Sequence, residues 1–241
     1  KFDDMNFTDA EERQMGETVS ASLRSRFGVM QDKDVTKYVT LVGTVVAQAS
    51  NRPDLDWKFI VLDSDGVDAY GAPGGFVHVT RGLLGLMKNE AELAGVLGHE
   101  VTHIANNHII KAMQKGKGMD LSADVAGNRM SSRADFLTNL GNRITQKLYA
   151  GEWSRDDEDD SDKFGIRHAN KAGYAPNGLA TALQRVAGRN ANMKEPKGLF
   201  ASHPTIKDRI ATVTRQISSE KLSATATGEA RYAKTITFDA K

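Results

Sequence analysis

The pentad His99-Glu100-Val101-Thr102-His103 constrains this chain more than any other feature, because it lies within a run of helical spacing. Leu93, Val96, Leu97, Val101 and Ile104 recur at intervals of three and four, and Asn89 with Glu92 three residues on forms a capping signature ahead of them. At 3.6 residues per turn, positions four apart lie about 40° apart around the axis, so His99 and His103 can share one metal ion. Glu100 lies roughly 100° round, close enough to touch a water on that metal but poorly placed to be a ligand.

Cysteine is absent from the 241 residues, so any metal must be held by histidine and carboxylate, and disulfide or thiolate chemistry is excluded. The balance of 32 basic and 31 acidic residues, formally +1, makes no electrostatic case for nucleic acid or an acidic partner. The longest apolar runs, such as Phe59 to Leu62, fall far short of the ~18 residues of a membrane span, and the chain reads as soluble. It begins at Lys1 rather than Met, which suggests that an export signal, lipid-anchored leader or membrane anchor was removed. Any membrane association is expected through that segment.

Thr8-Asp9-Ala10-Glu11 has capping-box form and opens a helix to about Phe27, stopped by Gly28. A second helix is expected from Asp34 to Ala49. Trp57 to Leu62 reads as a buried strand and Phe76 to Thr80 as another, after a turn near Gly66 and the Pro73-Gly74-Gly75 corner. Residues from about Ile109 to Gly151 are helix-prone, with breaks at Gly116 and Gly118. Ser154 caps a helix ending at Gly173. Further helices are expected near Asn177 to Ala187 and Thr205 to Ser218, and a candidate strand at Lys234 to Phe238. With no internal repeat and no long linker, the simplest architecture is one α+β domain, mostly helical, with a small mixed sheet. Its parts would be residues 1–56 (helical), 57–108 (sheet and pentad helix), 109–153 (a helical insert able to act as a lid) and 154–241 (an acidic helix and C-terminal helices).

A catalytic zinc wants three protein ligands and an open fourth position. The metzincin spacing finds no third histidine after His103. His108 sits nine residues after His99, about 180° round if the helix continues, and reads as a core or surface histidine. The remaining source is the acidic stretch Ser154 to Asp162. There Glu158 and Asp162 share one helical face with Gly165, Ala169 and Ala172, a small-residue stripe that lets another helix approach closely. Glu158 as a ligand makes physical sense, with Asp162 one turn on able to accept a hydrogen bond from the second nitrogen of a ligating histidine.

Taken together, Glu92 to His103 and Ser154-Arg155-x-x-Glu158-x-x-Ser161-Asp162-x-x-Gly165 resemble the gluzincins of metallopeptidase family forty-eight. That is the Ste-type CAAX prenyl protease and HtpX group, whose soluble periplasmic members are nearest in size. The likeness runs from about Met15 to Arg209. It takes in Pro73 to Val77, Thr80 to Leu84, Gly173-Tyr174-x-Pro176, and Ser202-His203-Pro204 followed by Arg209. Three positions depart from it: Ser161 in place of Ala, Asp68 in place of Asn, and His78 in place of an apolar or aromatic residue. His78 is expected to be half exposed on its strand, and His168 solvated.

The resemblance implies a zincin-like metallopeptidase fold with one zinc ion per chain, held by His99, His103 and Glu158. It further implies Glu100 as catalytic base and His203 as oxyanion donor. The expected activity is endopeptidase cleavage of unfolded or damaged proteins in the periplasm or cell envelope of a bacterium. The substrate would be bound in extended form along an edge strand at Gly75 to Thr80. A prenyl-peptide protease is disfavoured because those relatives span membranes. The other competing reading is a latent or chaperone-like zinc module without turnover.

Overall fold

The computed structural model describes residues 5–115, 132–151, 153–191 and 206–240. Most of its long helices begin where a side-chain oxygen closes the first turn. In α1 (Asp9–Phe27) Thr8 and Glu11 complete a reciprocal capping box, and in α2 (Lys33–Gln48) Asp32 accepts from the amides of Asp34 and Val35. Three short strands follow: β1 (Lys58–Leu62), β2 (Ala69–Ala72) and β3 (Phe76–Thr80). Thr80 then caps a short α3 (Arg81–Leu86), and Asn89 caps α4 (Glu90–Ala105), the helix that carries the pentad. Beyond it come α5 (His108–Lys115), α6 (Arg133–Ala150), α7 (Arg155–Lys171), α8 (Gly178–Asn190), α9 (Ile206–Ser219) and α10 (Glu229–Thr235).

The architecture is α+β and mostly helical, with one mixed sheet in the order β1-β3-β2. β1 runs parallel to β3, with Ile60 opposite His78, and β2 runs antiparallel to it, with Gly71 opposite Val77. β3 is therefore the central strand, with both edges already paired. The edge-strand expectation for Gly75 to Thr80 is thereby overturned. β2 is four residues long and contains a glycine, so it gave no periodic signal; its presence moves β3 from edge to centre.

Alternate strand residues serve two cores. Phe59, Val61, Ala69, Val77 and Val79 pack with α2, α4, α7 and α8, whereas Leu62, Tyr70, Ala72 and Phe76 pack with α1, α5 and α6. Both faces of the sheet are covered, which is why all five residues of β3 are buried. The expected strand at Lys234 to Phe238 is another correction. Residues Glu229–Thr235 form α10, held by Arg231 on Glu90 and by the Tyr232 hydroxyl donating to the Leu84 carbonyl at 2.6 Å. The breaks at Gly116 and Gly118 lie outside the described residues, as does residue 205, where a helix start was expected. No helix among the described residues is long and apolar enough to cross a membrane.

Candidate metal centre

The centre is made by the crossing of α4 and α7. A β-carbon on Gly98 would meet the Gly165 carbonyl oxygen at 2.6 Å, and one on Gly165 would meet the His99 amide nitrogen at 2.7 Å. Backbone thus lies on backbone, as the small-residue stripe predicts, and short carboxylate side chains on α7 reach the histidines of α4. The Nε2 atoms of His99 and His103 are 3.0 Å apart, and Glu158 places carboxylate oxygens 3.8 Å and 3.3 Å from them. All three ligand-type atoms lie within 4.8 Å of one another. Ligands of a tetrahedral zinc at 2.0–2.1 Å stand roughly 3.3 Å apart, so the size and the N, N, O chemistry of the set both fit that ion.

Glu100, next to His99 in sequence, turns its carboxylate toward β2. Its Oε1 is buried and has no hydrogen-bond partner among the described residues. Burial pushes its carboxyl up to about 7, with His99 pulling it down and Glu158 pushing it up; a cation on the three ligand atoms would oppose that rise. Gly71 of β2 faces it: a β-carbon there would lie 3.2 Å from the Glu100 carboxylate and 3.1 Å from its main-chain oxygen. A side chain at 71 would crowd the group.

Behind His99, Asp162 Oδ1 lies 2.8 Å from Nδ1. Arg209 from α9 donates to both Asp162 oxygens, at 2.8 and 2.6 Å, and its third nitrogen is 3.0 Å from Glu158. Burial pushes the Asp162 carboxyl up, but the Arg209 charge and hydrogen bonds, with those of His99, outweigh it and hold the group well below the usual carboxylate range. Glu158 is also held low: burial raises it, and His99, His103 and Arg209 overcome that. Arg209, 2% exposed, entered the sequence reading only within a signature. It occupies the apolar stripe of Ile206, Ile210, Val213 and Ile217, and a charge in that stripe was a usable signal.

Behind His103 stands His108, whose Nδ1 is 3.1 Å from Nδ1 of His103 and 3.2 Å from Ser161 Oγ. Its Nε2 is 3.1 Å from Asp160 Oδ2, which also accepts from Asn106 Nδ2 at 2.6 Å. Burial, then the neighbouring His103, pushes His108 down to about 4. The His103 ring also faces Trp153, with ring centres 4.2 Å apart.

Other expectations are corrected. His78 is fully buried, because α1 covers that face of β3: its Nε2 meets Ser20 Oγ at 2.9 Å and its Nδ1 the Tyr70 carbonyl at 3.3 Å. His168 is 8% exposed rather than solvated, and burial pushes it down to about 4. Ser161, which stands where the family has Ala, touches His108. His203 lies outside the described residues.

A helix-borne HExxH whose two histidines meet a glutamate from a second helix defines the zinc-dependent metallopeptidase class. The family model of Peptidase family M48 matches residues 33–217, and the chain belongs to that family, whose members depend on zinc. It is similar to the beta-barrel assembly-enhancing protease of Yersinia pestis, at 21% identity over 91% of this chain and 46% of that protein. It is also similar to metalloprotease LoiP of Escherichia coli, at 24% over 91% of this chain and 85% of that one. A third likeness is to the mitochondrial metalloendopeptidase OMA1 of Schizosaccharomyces pombe, at 26% over 84% and 60%. The chain spans about half the length of the beta-barrel assembly-enhancing proteases that it matches.

Proposed function

We propose that this chain is a zinc-dependent endopeptidase that hydrolyses peptide bonds of unfolded or damaged proteins in the bacterial envelope. One juxtaposition carries the reading: three ligand-type atoms converge within 4.8 Å, and beside them Glu100 holds a buried, unpartnered carboxylate oxygen. His99, His103 and Glu158 would hold the ion. When bound, zinc supplies a Lewis acid that polarises a carbonyl and brings the pKa of water toward neutrality. Glu100 takes the water proton at its unpartnered oxygen and passes it to the leaving amine. Asp162, clamped by Arg209, fixes the His99 ring and its tautomer. His203 donates to the oxyanion, a role that rests on the Ser202-His203-Pro204 likeness alone.

With β3 in the centre of the sheet, an extended substrate would instead add to the outer edge of β2, beside Gly71 and the Glu100 carboxylate. Pairing through backbone groups tolerates many side chains, which suits unfolded polypeptides. The envelope setting is supported by kinship with proteases named for beta-barrel assembly. The test is Glu100→Gln: it should keep zinc by elemental analysis and lose cleavage of unfolded casein by about 10²–10⁴-fold. Cleavage at the wild-type rate would reject the reading.

A second reading, a resting form that binds zinc without turnover, is favoured by burial. His99, Glu100, His103 and Glu158 are at most 3% exposed, and Trp153 lies over His103. On that reading the zinc-loaded wild type cleaves slowly and Trp153→Ala cleaves faster. Equal rates would dismiss it.

A further inference from the structure

We propose that His108 is a positioning residue for the metal site, acting through the chain His103–His108–Asp160; the proposal rests on the metal-centre reading above. Both ring nitrogens of this buried histidine are engaged, and neither faces the three ligand atoms. With the ion on Nε2 of His103, the ring proton of His103 can only sit on Nδ1, so that nitrogen donates. Its partner at 3.1 Å, Nδ1 of His108, must therefore accept. The proton of His108 then sits on Nε2 and is donated to Asp160 Oδ2 at 3.1 Å. Every member has the role that its neighbour requires, with Ser161 Oγ, 3.2 Å from the same His108 nitrogen, a second donor to its lone pair. The carboxylate that ends this relay stands one ring further from the ligand atoms than Asp162 does.

The start of α5 is fixed to serve this contact. Asn107 has φ of 54°, so the chain turns after α4 and brings His108 back against His103. Asn107 Oδ1 accepts from Arg52 at 3.0 Å and its Nδ2 donates to Glu12 at 3.1 Å, while Asn106 Nδ2 donates to Asp160. The linker asparagines are thus pinned on both sides of the ring that they place.

The test compares His108→Leu with His108→Asn, because an asparagine oxygen occupies nearly the position of the histidine Nδ1 and can still accept. Zinc dissociation constants would be measured by chelator competition, and visible absorption spectra recorded on cobalt-substituted protein. His108→Leu is expected to weaken zinc binding ~10–100-fold and to shift the cobalt bands, with His108→Asn keeping the wild-type spectrum. Wild-type affinity and spectrum in His108→Leu would overturn the proposal. Should His108→Leu fail to fold, Asp160→Ala carries the test at a partly exposed side chain: shifted bands support the proposal and unchanged bands overturn it. Glu158→Gln is the control for the underlying reading. Its loss of zinc leaves that reading standing whatever His108 does, and its full retention of zinc overturns both.

Discussion

His99 and His103 are one turn apart on the same helix, yet what stands behind them differs in kind. His99 meets a carboxylate, Asp162, that a guanidinium clamps at two oxygens, and all three groups are 3% exposed or less. His103 meets a neutral ring, and the charge behind that ring, Asp160, has a side chain 35% exposed. The first arrangement is a sealed ionic network with large opposing terms, and the second is a graded contact running out to solvent. His99 is fixed by electrostatics that water screens little, His103 by hydrogen-bond direction and a charge partly open to solvent.

The hardest blow to this contrast is Arg209→Met. It leaves Asp162 and Glu158 buried without their cation, so the zinc-free protein should lose about 3–5 kcal/mol in urea unfolding at pH 7. Arg209→Lys should recover only part of that, since an ammonium cannot fork across two oxygens; an unmoved midpoint in Arg209→Met would mean that the network is not what holds α7 to α9. Next comes Asp162→Asn, which keeps an acceptor for His99 but removes the charge. Zinc binding should weaken ~10–100-fold by chelator competition.

Acid separates the two sides more gently. Asp162 is held low, so its contribution is present above the ordinary carboxylate range and is lost only as pH falls below about 4. His78 and His168, both pushed down to about 4, are neutral in the fold and protonate first in the unfolded chain. Stability should therefore fall as pH drops from about 6.5 toward 4, by roughly 1 kcal/mol per histidine at pH 5.5. The double variant His78→Gln, His168→Gln should flatten that slope in urea titrations at pH 7 and 5.5. The smallest effect belongs to Asp160→Asn, about 0–1 kcal/mol in the same assay. If it cost as much as Arg209→Met, the contrast between a sealed and a graded side would fail.

What could be read from the sequence was what repeats locally. A period of 3.6 put His99 and His103 on one face and picked Glu158 and Asp162 out of six acids, and the caps at Thr8, Asn89 and Ser154 stand where the sequence has them. What escaped depends on partners distant in the chain. The order β1-β3-β2 is set by a four-residue strand with no periodicity, and His78 is buried by a helix fifty-eight residues away. His108 escaped for a different reason. Its angle was measured around the axis of α4, but that axis ends at Ala105, and the positive φ of Asn107 starts another.

The crossing at Gly98 and Gly165 has one more consequence. Two main chains in direct contact leave no slack, so the gap between the helices works as a gauge that holds the span from His99 to Glu158 to the reach of one small ion. A single methyl at either glycine would be a shim. It would meet the backbone of the other helix at 2.6–2.7 Å and force the two apart, carrying Glu158 away from the histidines.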